Sequence, residues 1–393
     1  MRFGTRLLHN GNEVDPHTGA ASIPLYQAST YHQFDLDHPG AFDYARSGNP
    51  TRQALEQTIA ALEEGERGLA FASGMAAIST VFLLFSSGDH LVVSKDLYGG
   101  TFRMLTEVLP RLGIEATFVD TTDLTQVETA IRPHTRALYV ETPSNPTLKV
   151  TDLAGVAAIA KQYGLLTIVD NTFMTPYLQQ PLTLGADIVV HSATKFISGH
   201  SDVVSGLVAV KDPVLGDRLA GLQNAFGAVL GVNDSWLTLR GLKTLKARLD
   251  ASSASAARLA RGLKEIPGIE RVYYTGLPEH EGHELQNAQA KGHGAVLSFD
   301  TGSADRAKAV CDHVRLPIVA VSLGAVESIL SYPAKMSHAA MPREERLQRG
   351  VTDGLLRLSV GLEDPDDLLN DLEQAIRARR LVSVNTEWRA SIV

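Results

Sequence analysis

At 393 residues, with 44% hydrophobic and 20% charged side chains, the chain has the composition of a soluble globular protein and the length of one large and one smaller domain. A net charge of −8 presents no basic face to nucleic acid or to an anionic membrane, and the single cysteine, Cys311, excludes an intrachain disulfide. There is no run of about 18 apolar residues to span a bilayer, and the start, Met1-Arg-Phe-Gly-Thr-Arg-Leu-Leu-His9, lacks the apolar segment of a signal peptide, so a cytoplasmic protein is expected.

Residues 1–45 carry Pro16, Pro24 and Pro39 and show little periodicity; such an arm orders itself only by packing on something else. Thr51 is expected to cap a helix over 52–64 with Leu55, Ile59 and Leu62 on its apolar face. Short apolar runs at 68–72, 90–94, 116–119, 137–140, 165–169, 187–190 and 206–210 then read as strands. Helical patterns follow several of them, at 74–85, 99–112, 123–131, 152–163 and 213–224. This alternation predicts an α/β fold over 46–236, with about seven mostly parallel strands and helices on both faces. After Trp236 the pattern changes. Residues 237–264 read as one long helix, broken at Pro267-Gly268, that opens a smaller α+β domain over 237–393. Its strands are expected at 271–274 and 295–299, its helices at 303–314 and 364–380, and the last dozen residues, ending Thr386 to Val393, as a tail. Cys311 falls on an apolar helical face and reads as a buried structural thiol.

The stretch from Ala186 to His200 brings a strand to a lysine, Lys195, on a polar turn beside Ser192 and Thr194. Open α/β sheets bind ligands at that end of their strands. Another strand stops at Asp170. A lysine and a carboxylate at neighbouring strand ends are the pair that pyridoxal phosphate requires, one for its aldehyde and one for its ring nitrogen. Each has an ordinary alternative: a solvated lysine, and an aspartate capping the next helix. Ser73-Gly74-Met75 sits between a strand and a helix, where backbone N–H groups bind anions, although tight turns use the same residues. Tyr98, in a glycine-rich turn, either stacks on a ring and exchanges a proton or is a half-buried loop tyrosine. Arg357 has apolar residues on both sides, and a buried arginine needs an anion. His280 and His283 are two histidines with no third metal ligand evident. Neither a dinucleotide fingerprint nor a serine-hydrolase elbow is present, since Gly292-His-Gly294 does not continue as the former requires.

Seven motifs occur in order: Asp43-Tyr-Ala-Arg-Ser-Gly-Asn-Pro-Thr-Arg52, Ser73-Gly-Met75, Tyr98-Gly-Gly100, Glu141-Thr-Pro-Ser-Asn-Pro146, Val169-Asp-Asn-Thr172, Ser192-Ala-Thr-Lys195 and Ser322-Leu-Gly324. Over roughly residues 3–380 the chain thereby resembles the trans-sulfuration enzymes of Cys/Met metabolism, which are PLP-dependent and have the aspartate-aminotransferase-like fold (fold type I). The resemblance implies that Lys195 holds the cofactor as a Schiff base and shuttles the substrate's α-proton. It implies that Tyr98 stacks on the cofactor, that Asp170 binds its pyridinium, and that Gly74, Met75, Ser192 and Thr194 bind its phosphate. Tyr44 and Arg46 would join that phosphate site from the neighbouring subunit of a homotetramer, a dimer of dimers. Asn145 and Arg357 would hold the substrate's α-carboxylate, with Ser322 nearby, while Arg103 and Asp43 would meet a distal amino-acid group.

The family contains β-lyases, γ-lyases and γ-synthases. Val321 stands where the cystathionine γ-enzymes often carry a glutamate, and Gly100 where methionine γ-lyases typically carry a cysteine. Residues 222–231 and 322–333 look most like the β-lyases of Gram-positive type. The implied reaction is therefore β-elimination of L-cystathionine to homocysteine, pyruvate and ammonia in methionine biosynthesis, with γ-elimination as the alternative.

Overall fold

The structure, a computed structural model, describes residues 1–11, 13–339 and 341–378; the expected tail lies outside them. Seven strands form one sheet: β1 (Arg67–Phe71), β2 (His90–Ser94), β3 (Glu115–Val119), β4 (Thr135–Glu141), β5 (Leu166–Asp170), β6 (Ile188–Ser192) and β7 (Gly206–Val210). Their spatial order is β1-β7-β6-β5-β4-β2-β3, and only β7 runs against the others. The sheet is buried on both faces, which is why its strands read as continuous apolar runs. Leu91 and Val93 pack with Ile168, Ile188 and Val190 on one face, while Val92 packs with Val169 and Val189 on the other. Side chains alternate along each strand, so both faces are filled from every run.

Fourteen α-helices accompany the strands among the described residues. In chain order they are α1 (Phe3–His9), α2 (Pro50–Glu63), α3 (Gly74–Phe82), α4 (Gly99–Arg103), α5 (Leu124–Thr129), α6 (Leu153–Tyr163) and α7 (Thr175–Leu178). After these come α8 (Pro213–Phe226), α9 (Val232–Lys243), α10 (Leu245–Lys264), α11 (His283–Gln289), α12 (Ala304–His313), α13 (Arg343–Gln348) and α14 (Pro365–Arg377). A second sheet holds β8 (Arg271–Tyr273), β9 (Val296–Asp300), β10 (Ile318–Val319), β11 (Ile329–Ser331) and β12 (Leu355–Ser359), in the order β10-β11-β12-β9-β8. Leu297, Phe299, Leu356 and Leu358 of this sheet share a core with Leu259 and Leu263 of α10 and Leu368 and Leu372 of α14. Between the sheets, Leu239 and Leu242 of α9 and Leu245 and Leu249 of α10 pack with Phe196, Ile197 and Leu323.

Several local expectations change. Asn49, not Thr51, caps α2: its side chain accepts from the N–H groups of Thr51 (2.9 Å) and Arg52 (3.3 Å), with Pro50 at the first helical position, which needs no donor. The Thr51 hydroxyl instead donates to the Pro24 carbonyl at 2.8 Å and accepts from the Tyr26 N–H at 3.0 Å, fastening the arm to the helix. The long helix over 237–264 is two helices that meet at Thr244. The helix over 99–112 stays α-helical only to Arg103; it then widens through Met104–Val108 and tightens through Leu109–Leu112, where Pro110 has no N–H to give. The expected strands of the smaller sheet, 271–274 and 295–299, are joined by β10, β11 and β12.

Candidate active site

A cavity of about 460 Å³ opens at the carboxyl ends of β4, β5 and β6, a size suited to a small-molecule ligand. Lys195, Tyr98, Gly74, Met75, Asp170, Ser192, Thr194, Asn145, Ser322, Arg357 and Arg103 all line it. Tyr44 and Arg46 do not. They lie on the arm, Tyr44 47% exposed, with the Arg46 guanidinium over the Tyr44 ring and donating to the Asn224 carbonyl at 3.3 Å. Asp43 is likewise outside the cavity, and Arg103 is exposed at its rim.

The lysine follows β6 in a wound turn. Its N–H donates to the Ser192 carbonyl at 3.2 Å, and its carbonyl accepts from the Gly199 N–H at 2.8 Å. Nζ donates to Ser322 Oγ at 2.7 Å. Burial, aided by the Arg357 charge, brings the ammonium's pKa down to about 8. Ser322 has φ 87°, a left-handed conformation costly for a residue with a Cβ. Two hydrogen bonds secure it there: the one from Lys195, and one from Arg357 Nη2 to its carbonyl at 2.6 Å. Gly324, at φ 82°, lies so close to the lysine's backbone that a Cβ would stand 2.4 Å from Phe196 N.

Asp170 ends β5. Its Oδ1 accepts from the Thr172 N–H at 3.0 Å and the Thr172 hydroxyl at 2.6 Å, and its Oδ2 from the Tyr139 hydroxyl at 3.4 Å. It caps no helix, since α7 begins only at Thr175. Beside it in register is Glu141, whose Oε2 accepts from the Tyr98 N–H at 2.7 Å. Burial raises both carboxyls, Glu141 well above its usual range. Asp170 accepts from three donors and Glu141 from one, so Asp170 is the better stabilised of the two as a carboxylate. In the sequence Glu141 is only part of a motif: the register that sets it beside Asp170 is a long-range pairing with no local signal.

Arg357, on β12, is 3% exposed. Nη1 donates to Asn145 Oδ1 at 2.9 Å and Nη2 to Ser331 Oγ at 3.0 Å, while buried Nε has no partner. Burial lowers its pKa only to about 10, so it stays charged at neutral pH. Among the described residues no carboxylate accepts a hydrogen bond from it, which leaves it ready for an anion. Ser331 was not anticipated, because β11 was not.

At the opposite wall, α3 starts with Ser73 Oγ accepting from the Ala76 N–H at 3.0 Å. The N–H groups of Gly74 and Met75 therefore remain at the helix terminus, where an anion is favoured. A Cβ on Gly74 would lie 2.8 Å from Ser192 Cβ, so the glycine brings this terminus against the end of β6. The Thr194 hydroxyl accepts from the Ser205 N–H at 3.0 Å and donates to the Ser205 carbonyl at 3.1 Å, so it is already committed there. The Tyr98 ring lies over Gly100, whose Cβ would be 2.5 Å from it. Pyridoxal phosphate fits this arrangement: an amine with a lowered pKa, a buried carboxylate for the ring nitrogen, and a helix terminus for the phosphate converge on one cavity. Elsewhere, His283 stacks on His293 and its Nδ1 lies 2.7 Å from the Thr275 carbonyl oxygen, and no three His, Cys, Asp or Glu side chains among the described residues are placed to hold a metal. Cys311 packs beside the smaller sheet's core, its thiol pushed up to about 11 by burial.

The relatives agree with this chemistry. The chain is 62% identical to the cystathionine beta-lyase MetC of Bacillus subtilis, over 97% of each chain. It is 54% identical to a cystathionine gamma-lyase of the same organism, over 96% of this chain and 99% of that one. A solved cystathionine gamma-lyase from Lactobacillus plantarum, complexed with L-serine, superposes with a TM-score of 0.93 at 48% identity, covering 95% of this chain and 98% of that one. The family model for Cys/Met metabolism PLP-dependent enzymes matches residues 4–377, and the chain belongs to that family, with pyridoxal 5'-phosphate as its cofactor.

Proposed function

We propose that the protein is a cystathionine β-lyase, cleaving L-cystathionine to homocysteine, pyruvate and ammonia in methionine biosynthesis. The observation that carries this choice is the 62% identity to the Bacillus subtilis β-lyase along nearly the whole of both chains. Val321 at the cavity rim supports it, since it stands where the cystathionine γ-enzymes often carry a glutamate. The γ-lyase reading is favoured by the gamma-lyase relatives at 54% and 48% identity.

Pyridoxal phosphate, when bound, supplies the electron sink that makes the substrate's α-proton removable. Lys195 is the residue that carries the cofactor and accepts that proton at Nζ; with a pKa of about 8, a useful fraction of it is neutral near physiological pH. Ser322 Oγ holds Nζ at 2.7 Å when the amine is free. Asp170 supplies the negative charge for the ring nitrogen, and Glu141 holds the Tyr98 backbone so that its ring covers the cofactor. The terminus at Gly74 and Met75, with Ser192, takes the phosphate, and Thr194 joins them by exchanging its hydroxyl's bond to the Ser205 carbonyl for one to the phosphate. Arg357, steadied by Asn145, pairs with the substrate's α-carboxylate. The Cβ–sulfur bond then breaks with its electron pair leaving on sulfur, and in this reading Tyr98, which lines the cavity, protonates the departing thiolate. Water hydrolyses the remaining aminoacrylate to pyruvate and ammonia.

The same reading makes the protein a cytoplasmic homotetramer of a PLP-binding domain (46–236) and a smaller domain (237–393). The arm over 1–45 carries Tyr44, and Arg46 just beyond its end, to the neighbouring subunit's phosphate site. Their exposure, outside the cavity of their own chain, supports this. Incubation with L-cystathionine and identification of the keto acid tests the reaction. Pyruvate is expected; 2-oxobutyrate would establish the γ-lyase instead.

A further inference from the structure

Arg248 lies on α10, outside the cavity, and only 6% of it is exposed. Among the described residues no carboxylate accepts from it. Its guanidinium is held by oxygen dipoles: Nη1 donates to the Phe196 carbonyl at 2.7 Å, and Nη2 to the carbonyls of Ile197 at 3.1 Å and Gly241 at 2.8 Å. Nε donates to Thr244 Oγ1 at 2.9 Å. Phe196 and Ile197 directly follow Lys195, Gly241 is in the last turn of α9, and Thr244 is the elbow between α9 and α10. One buried fork thus ties the peptide groups beyond the lysine to the joint between two helices.

The surrounding backbone is cleared for this fork. Gly199, at φ 75°, faces it so closely that a Cβ would stand 2.2 Å from Nη1, and a Cβ on Gly241 would stand 2.3 Å from the Ser198 carbonyl oxygen. The Gly199 carbonyl in turn accepts from the Val326 N–H at 2.9 Å, linking the same turn to the segment that carries Ser322. A buried guanidinium facing only carbonyls and a hydroxyl is an expensive way to fill space, and an apolar side chain would do that without desolvating a charge. What the fork provides is planar, two-armed control of adjacent peptide groups, which an ammonium cannot reproduce.

We propose that Arg248 is a positioning residue for Lys195: its fork fixes the peptide groups of residues 196 and 197 and thereby sets the direction in which the lysine enters the cavity. The inference rests on Lys195 being the cofactor-bearing lysine. It is tested on the full-length, PLP-loaded protein with Arg248→Lys, and with the milder Thr244→Val, which removes the Nε acceptor together with the hydroxyl's own bond to the Gly241 carbonyl at 3.1 Å and leaves the guanidinium in place. We expect Arg248→Lys to fold by circular dichroism and to lower kcat about 10- to 100-fold, with KM within about twofold of wild type, as misplacement of a reacting group does. The pH midpoint of the lysine-bound cofactor's visible absorbance should shift with it. Thr244→Val should show the same changes to a smaller extent. Purely structural support would lower the melting temperature and leave the absorbance midpoint of the folded, loaded protein where it was; a wild-type midpoint and kcat in the folded variants overturn the proposal. Should Arg248→Lys not fold, Thr244→Val alone decides on the same criteria. Failure of the underlying reading looks different: borohydride reduction of the wild-type protein would then label no peptide, or one that lacks Lys195.

Discussion

At Lys195 the decisive quantity is the proton on Nζ. Its pKa lies at about 8 rather than at the usual value near 10.5, because the ammonium is buried and faces the Arg357 charge. A base with a depressed folded-state pKa is protonated below that pKa and neutral above it. The rate at which cofactor-free protein takes up pyridoxal phosphate, followed by its visible absorbance, should therefore rise with pH and level off above about pH 8. Arg357→Met removes the nearby positive charge, so the inflection should move to higher pH; an unmoved or lower inflection would show that the two groups do not interact. Between about pH 8 and pH 10.5 the unfolded chain binds more protons than the folded one at this lysine, so its contribution to stability rises with pH across that window. Arg357 has a second, separable role. Arg357→Lys keeps a charge but loses the paired donors, and it should raise KM for cystathionine about ten- to hundredfold, the worth of a charged hydrogen bond. A KM unchanged in steady-state kinetics would remove Arg357 from carboxylate binding.

Among the elements, the junction of α3 and β6 is a close backbone contact that bears directly on the phosphate end of the site. Gly74→Ala would place a methyl group 2.8 Å from Ser192 Cβ, and 3.0 Å from its Cα, so the end of β6 must shift. Overpacking of this kind costs about 1–3 kcal/mol. We expect it to appear as a PLP dissociation constant raised about tenfold or more, measured by equilibrium dialysis, with little change in the far-ultraviolet spectrum. Much of this scale was legible in the sequence. Strands buried on both faces write continuous apolar runs, and Lys195 and Asp170 stood out because each closes such a run. Asn49-Pro50 also carried its own signal, a capping side chain before a proline, although Thr51 competed for the role. Strands of two or three residues, such as β10 and β11, leave no period to read. The break at Thr244 was hidden because no glycine or proline marks it: tertiary packing bends the chain there. Glu141 and Arg248 were hidden for a related reason, since each acts on residues distant in sequence, through strand register or through a helix elbow.

The molecule as a whole keeps two of its expected phosphate ligands away from its own cavity. Tyr44 and Arg46 belong to an arm that Thr51 and Asn49 pin to α2, and neither lines the cavity beside Lys195. If they complete the site of a neighbouring copy, one active site is made from two chains, and that can be separated from a folding effect by mixing. Lys195→Ala and Arg46→Ala should each be nearly inactive alone. A hybrid dimer of the two contains one site with both defects and one with neither. Random assortment makes half the dimers hybrid, so a mixture refolded together should recover about a quarter of wild-type activity, as expected for sites shared across a two-fold axis. Were Arg46 to serve its own chain, every site in the hybrid would retain one defect, and mixing would recover nothing. The keto acid assay reads both outcomes on the same samples. Restored activity would also show what the exposed end of the arm serves: its first part packs on its own chain through Leu7, and Tyr44 and Arg46 are left for the adjacent subunit.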